Sequence, residues 1–349
     1  MIKIRKSFLA LLLFLFPLIV LSQVTNSVLA TGEWFKFSVD TTGIFKIDHN
    51  FLQQIGISTN TINPKKIHIY GNGGQLLPEF NGELRYEDLQ ENAIYIQGEE
   101  DNSFDANDYI LFYAKGPHDW DVNTNTGAVN HHQNIYSDKA YYFITINEDD
   151  GKRIQNAVPA MGSTTATITS FNDYIFYEKE TTNLFAAGRR WFGEEFNVEN
   201  QQSFQIPFPN VVQNEPLQVK VAAVAVSGLA SSMQVSVNSE NLFSLNFNGS
   251  SSSSQASDRL GADFVTNSLP IIEVTLDYDN GGNPSARAYL DYIEISGKKQ
   301  LIANDFQFSF RSFEAANSSG VLEYQIQNSQ NIFQIWEVSD HLNVRLIEN

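Results

Sequence analysis

Residues 217–226 read LQVKVAAVAV, residues 233–237 read MQVSV and residues 242–247 read LFSLNF. Apolar side chains recur at every second position or run on unbroken, and Ser227, Gly228, Asn238 and Ser239 punctuate the gaps. A period of two is that of a strand, whose successive side chains point to opposite faces of a sheet. Outward from this stretch the same pattern recurs at residues 173–178, 202–206, 271–278, 286–295, 306–310, 321–327 and 332–338. That makes about ten strands with turn signals between them, the pattern of a β-sandwich, jelly-roll type included. Upstream lie further strand candidates at 34–39, 44–47, 66–70, 93–97, 109–113 and 140–146. The first two flank the turn-rich residues 40–43 and read as a hairpin. Asp48 can cap a short helix whose Phe51, Leu52 and Ile55 share a face and which Gly56 ends. Asp149, Asp150 and Gly151, followed by the Ser/Thr-rich residues 162–170, place a domain boundary near residue 165. The expectation is an all-β protein of two β-rich domains, 23–165 and 166–349, the second a β-sandwich or jelly roll. The serines at 250–254 read as an exposed loop.

The composition of the 349 residues narrows the function. With 42% hydrophobic and 13% aromatic residues there is material for a core, which excludes wholesale disorder. Twenty-two Lys and Arg stand against 40 Asp and Glu, a net charge of −18. Nucleic acid needs a basic footprint and an anionic membrane face attracts one, so both are disfavoured as partners. The absence of Cys excludes disulfides, thiolate metal sites and a cysteine nucleophile within these residues. Lys3, Arg5 and Lys6 precede an apolar run from residue 8 to 21, and Val20 and Ser22 suit a signal peptidase. Fourteen helical residues rise only about 21 Å, short of a bilayer core. Residues 1–22 thus read as a cleaved signal peptide of an exported protein.

Few constellations carry chemistry. Glu99, Glu100, Asp101, Asn102, Asp105, Asn107 and Asp108 form the densest acidic cluster. Oxygen ligands at alternate positions suit calcium, but the EF-hand count puts Ala106 where glycine belongs and Phe112 at the final ligand. An Asx-turn-rich connection is the better reading. His131 and His132 would face opposite sides of a strand and could not share one ion, and surface-loop histidines are the preferred account. Gly71-Asn72-Gly73-Gly74 follows a strand, yet Pro78 and the lack of helical period argue for a tight turn over a phosphate loop. There is no G-x-S-x-G nucleophile motif. No catalytic residue, cofactor site or metal site is therefore assigned.

The most unusual string is Arg189-Arg190-Trp191-Phe192-Gly193-Glu194-Glu195-Phe196. Two arginines and two glutamates bracket a large apolar payload. Arg and Trp dominate interface hot spots, so Arg189, Arg190, Trp191, Phe192, Glu194 and Glu195 are candidates for docking between domains. An internal lid closing the second sandwich with ion-paired edges is an equal alternative.

Seven strings follow one another in a characteristic order: TGEWFKFSVDTTGIFKIDHNFLQQIGI (31–57), NPKKIHIYGNGGQLLPE (63–79), ENAIYIQGEEDNSFDANDYILFYAKGPHDW (91–120), NIYSDKAYYFI (134–144), RRWFGEEF (189–196), YLDYIEI (289–295) and FQIWEVSD (333–340). Together they resemble the N-terminal region of the type IX secretion sortases, within the gingipain-like cysteine peptidases. The resemblance implies an exported protein at the outer membrane or cell surface of Bacteroidetes. Such sortases are implied to cleave C-terminal secretion signals from cargo and to transfer cargo to an anionic lipopolysaccharide anchor. Their implied His and Cys pair belongs to a caspase-like domain downstream of the region matched here, so no catalytic residue carries over. The implied role is a non-catalytic scaffold, from a truncated product or a partial gene model. Its implied partners are the sortase catalytic domain, other outer-membrane components of the secretion system and exported cargo. A free-standing secreted module binding glycan or protein, with Trp120 and Tyr142 as possible stacking aromatics, is the alternative. An inhibitory pro-segment is a third.

Overall fold

The computed structural model describes residues 26–347, apart from 60–61, 185, 187, 251–254 and 267–268. The expected signal peptide and most of the serine run lie outside the described residues. Among those described, no helix is long and apolar enough to cross a membrane.

The first unit begins with β1 (Phe35–Val39), β2 (Gly43–Asp48) and α1 (His49–Gln54). It continues through β3 (Ile67–Tyr70), β4 (Glu91–Asn92), β5 (Ile94–Gln97) and β6 (Tyr109–Ala114). The strands β7 (Asp119–Asn123), β8 (Ala128–His132), β9 (Ala140–Ile146) and β10 (Gln155–Asn156) complete it. One sheet has the order β1-β9-β3-β4 and another β2-β6-β5. Between them lies a core that includes Phe37, Ile47, Leu52, Ile69, Ile110, Phe112 and Tyr142. Asp48 caps α1 by accepting from the Phe51 N–H at 2.9 Å, and Leu52 is the helix's buried residue.

The expected hairpin over 34–47 is not one. β1 pairs with β9 and β2 with β6, so residues 40–43 cross from one sheet to the other. A two-residue hairpin turn needs positive φ at its centre, and no residue of 40–43 has it. Thr42 Oγ1 instead accepts from the Gly116 N–H at 2.9 Å, just beyond the Gly43–Ala114 end of the β2–β6 ladder. Gly71, expected in a tight turn, is required by packing: a Cβ there would sit 2.3 Å from the Tyr142 ring. Tyr142 is fully buried, its hydroxyl accepting from the Lys115 N–H and donating to the Lys115 carbonyl, so it is no exposed stacking platform.

The second unit contains β11 (Thr164–Ile168), β12 (Ser170–Glu178), β13 (Glu195–Phe196), β14 (Gln201–Pro207), β15 (Leu217–Val226) and β16 (Ser231–Val237). After these come β17 (Glu240–Phe247), β18 (Ser257–Val265), β19 (Ile271–Asp279) and β20 (Arg287–Gln300). Sheet β12-β20-β15-β18, with β13 also on β20, faces sheet β14-β19-β16-β17. Alternate residues of both fill the sandwich core: Met233, Val235 and Val237 from β16, with Val219, Val221, Ala223 and Ala225 from β15. A bulge opposite Ala222 and Ala223 inserts one extra residue, Asp291, into β20. Inward-facing positions therefore switch from Ala288 and Leu290 to Ile293 and Ile295.

The chain then runs back over both units. β21 (Val321–Tyr324) pairs in parallel with β11, so part of the polar segment expected as a linker is a strand. Its β-branched Thr164, Thr165 and Thr167 suit that conformation. β22 (Ile335–Glu337) and β23 (Arg345–Ile347) return to the first unit, where β23 pairs in parallel with β10. The Ala93 N–H donates to the Leu342 carbonyl at 3.1 Å.

Candidate functional site

Strand β15 has nearly every residue buried, not every second one. Its inner face packs in the sandwich, so something covers the outer face of the five-stranded sheet. Two pieces do: the β7–β8 hairpin of the first unit and the segment around Phe192.

Across the hairpin, Trp120 pairs with His131 and Val122 with Val129, a face of alternating apolar side chains. Trp120 packs on Tyr174 with ring centroids 4.3 Å apart, and His131 stacks on Phe176 at 4.2 Å. Tyr292 meets the imidazole edge-on at 4.7 Å. Into this aromatic box reach four charged groups. His131 Nδ1 lies 2.5 Å from Glu294 Oε1 and Nε2 lies 2.6 Å from Glu178 Oε2. The His131 N–H also donates to Glu294 Oε1 at 2.9 Å. Lys220 Nζ is 2.5 Å from Glu294 Oε2 and donates to the Val129 carbonyl at 2.7 Å and to Asn130 Oδ1 at 2.9 Å. The His131 side chain is only 4% exposed, so it is no surface-loop residue. His132, on the other face of β8 as alternation requires, is exposed and pairs with Asp121 at 2.8 Å.

Burial alone would depress the His131 pKa, but the two carboxylates outweigh it and hold the imidazole above its ordinary value. Burial likewise pushes Glu294 up, and His131 and Lys220 bring it below the usual carboxylate range. Nearby Glu180 is pushed up to about 8 by burial and the Glu178 carboxylate, which outweigh the downward pull of His131. Asp291 is raised by burial, against the pull of Arg190.

The docking candidates divide by environment. Phe192 is fully buried with Val224 and Tyr289 and covers the outer face of β15. Arg190 binds Asp291 at 2.7 Å and Asp258 at 3.1 Å. Glu194 accepts from the Tyr177 hydroxyl at 2.5 Å and pairs with Lys179 at 2.8 Å. Glu195 sits in β13 opposite Tyr289, 3.6 Å from Arg287. Trp191 is 38% exposed, and Arg189 pairs with Glu79 of the first unit. Four of the six docking candidates thus join the sheet, while Arg189 and Trp191 turn outward, toward the first unit and solvent.

In the acidic loop several carboxylates bond within the loop and one pairs outside it. Asp101 Oδ1 accepts from the Ser103 N–H at 2.9 Å, Asp108 Oδ2 from the Asp105 N–H at 2.7 Å, and Glu99 pairs with Arg153 at 2.8 Å. Gly98 opens it at φ +93°, where a Cβ would collide with Asp108. Among the described residues no group of three or more His, Cys, Asp or Glu is placed to hold a metal ion.

Sequence reasoning missed the His131 seam. The signal was present in the WDV and VNH alternation of the hairpin and in the unbroken apolar run of β15, which marks a strand covered on both faces.

No protein-family model and no curated protein sequence matches the chain. Among solved structures, dimeric latent PorU from Porphyromonas gingivalis superposes with a TM-score of 0.75 and 21% identity. The match covers 92% of this chain and 30% of that one. The carbohydrate-binding module CBM36, in complex with calcium and xylotriose, aligns over 37% of this chain and 99% of its own at 15% identity. A CBM36-1 domain of a xylanase from the hindgut metagenome of Trinervitermes trinervoides aligns over 36% of this chain and 95% of its own at 13% identity. Their TM-scores of 0.25 and 0.26 carry no argument. The chain spans about 30% of the length of the PorU it matches, and it has the fold of that part of PorU.

Proposed function

We propose that this chain is the non-catalytic β portion of a PorU-type sortase, a scaffold and docking module for a cysteine peptidase domain. The supporting observation is the fold match, which takes in 92% of this chain and leaves most of PorU unmatched. The chemistry agrees. Acyl transfer by such a peptidase needs a thiolate nucleophile and an imidazole base, and these 349 residues contain no Cys. In this reading the second sandwich is the rigid body, the hairpin and the 189–196 string fasten the first unit to it, and Trp191 faces the partner. The partners are the sortase catalytic domain, other outer-membrane components of the type IX system and exported cargo, at the outer membrane or cell surface.

The test is activity on peptides that carry a C-terminal secretion signal. The chain alone should neither cleave nor transfer them in a thiol-dependent manner. Iodoacetamide-resistant cleavage that tracks the pure protein through fractionation would overturn the scaffold reading.

A further inference from the structure

The charges at the seam balance only in one protonation state. With His131 protonated, two cations, His131 and Lys220, meet two carboxylates, Glu178 and Glu294, and both ring nitrogens donate. A neutral imidazole has a single N–H. One carboxylate would then face a nitrogen lone pair at 2.5 or 2.6 Å, inside a site where water cannot screen the repulsion. The hairpin carrying His131 belongs to the first unit and both carboxylates to the second, so the loss falls on the contact between them.

We propose that the β7–β8 hairpin is a proton-dependent latch, closed when His131 is an imidazolium bridging Glu178 and Glu294 and released as that proton leaves. Charged and titratable groups face the ring from every element packed on it. From β12 and just beyond it come Glu178 and Glu180; from β20 come Asp291, Tyr292 and Glu294; Lys220 comes from β15. His118 precedes the hairpin on the first unit, Asp138 follows it, and Arg190 holds Asp291. Because His131 is raised from 6.5, its contribution is fully present below that pH and is lost as pH climbs through the folded value. Glu180, raised from 4.5 to about 8, also holds its proton in the folded state. Once ionised it repels Glu178 but attracts the imidazolium, so it shifts the midpoint of the latch without removing it. The latch therefore opens on the alkaline side.

Hydrogen exchange of the full chain between pH 6 and pH 9, corrected for intrinsic rates, tests this. Protection of amides 128–132 should fall about tenfold for each pH unit by which the folded imidazole stands above its free value. Amides 231–237, inside the second core, should keep theirs. His131→Gln should show the low protection at pH 6 and no further fall, whereas Glu180→Gln should keep most of the fall. If His131→Gln does not fold, the titration of the His131 ring in the unaltered chain decides: its midpoint should coincide with the loss of protection. Unchanged protection across the range, a His131→Gln protein with the wild-type profile, or midpoints that do not coincide would overturn the latch.

Discussion

Phe192 and Trp191 are neighbours with opposite roles. Phe192 is fully buried against Val224 and Tyr289, while Trp191 keeps 38% of its surface in solvent. Truncating a buried phenylalanine removes its transfer free energy and leaves a cavity, so Phe192→Ala should cost about 3–5 kcal/mol in urea unfolding. Trp191→Ala should cost clearly less and act on partner binding instead. Equal losses for the two would contradict the division. Glu180 offers a second check at this scale. Its folded pKa of about 8 lies above 4.5, so wild-type stability falls as pH rises between those values. Glu180→Gln, which imitates the protonated acid, should gain on the wild type through that window and keep the advantage above it. Melting curves from pH 4 to pH 9 would show a constant difference if the carboxyl titrates normally. The apolar weight of Trp191 and Phe192 is legible in the sequence, but which of them is buried depends on a sheet whose strands lie elsewhere in the chain. His131 was still less legible, because a histidine beside a histidine says nothing about the carboxylates of residues 178 and 294.

Most of the longer strands are legible as elements, since period two follows from local geometry and needs no partner. The expected strand at 306–310 is irregular, however, and β7, β8 and β18 are not among the expected ones. The pairings of the strands are not legible. Residues 40–43 have the composition of a turn yet connect two sheets, because the partners of β1 and β2 are β9 and β6. β11 finds β21 and β10 finds β23 across more than 150 residues, a separation that carries no local signal. The acidic loop tests a reading made from residues alone. With Asp101 and Asp108 accepting from loop N–H groups and Glu99 held by Arg153, these three carboxylates already have donors. A chelator should therefore leave the melting temperature unchanged, since only a ligand bound to the folded state stabilises it by mass action. A reproducible chelator-sensitive drop of several degrees would mark a calcium site.

At the scale of the whole molecule, two sandwiches are fastened by the hairpin seam, the Arg189–Glu79 contact and the return of β23 to β10, with further bonds from Gln307 to the Ile44 backbone and from Asn317 to the Thr124 carbonyl. Residues 157–163 join them with Val158 and Met161 exposed and no strand assigned. Limited proteolysis should nick there first. The pieces should still migrate together under native conditions, because β22 and β23 lie on the first unit. Separation on nicking, or early cuts within Leu217–Val226, would contradict this organisation. The central claim is that the chain scaffolds a catalytic partner, and one titration addresses it most directly. The chain and a separately purified PorU-type peptidase domain are mixed in a calorimeter, with Trp191→Ala as the comparison. The scaffold account predicts saturable one-to-one binding that the substitution weakens by about tenfold or more, as at an interface hot spot. Absence of heat up to the solubility limit, or binding that the substitution leaves untouched, would contradict it.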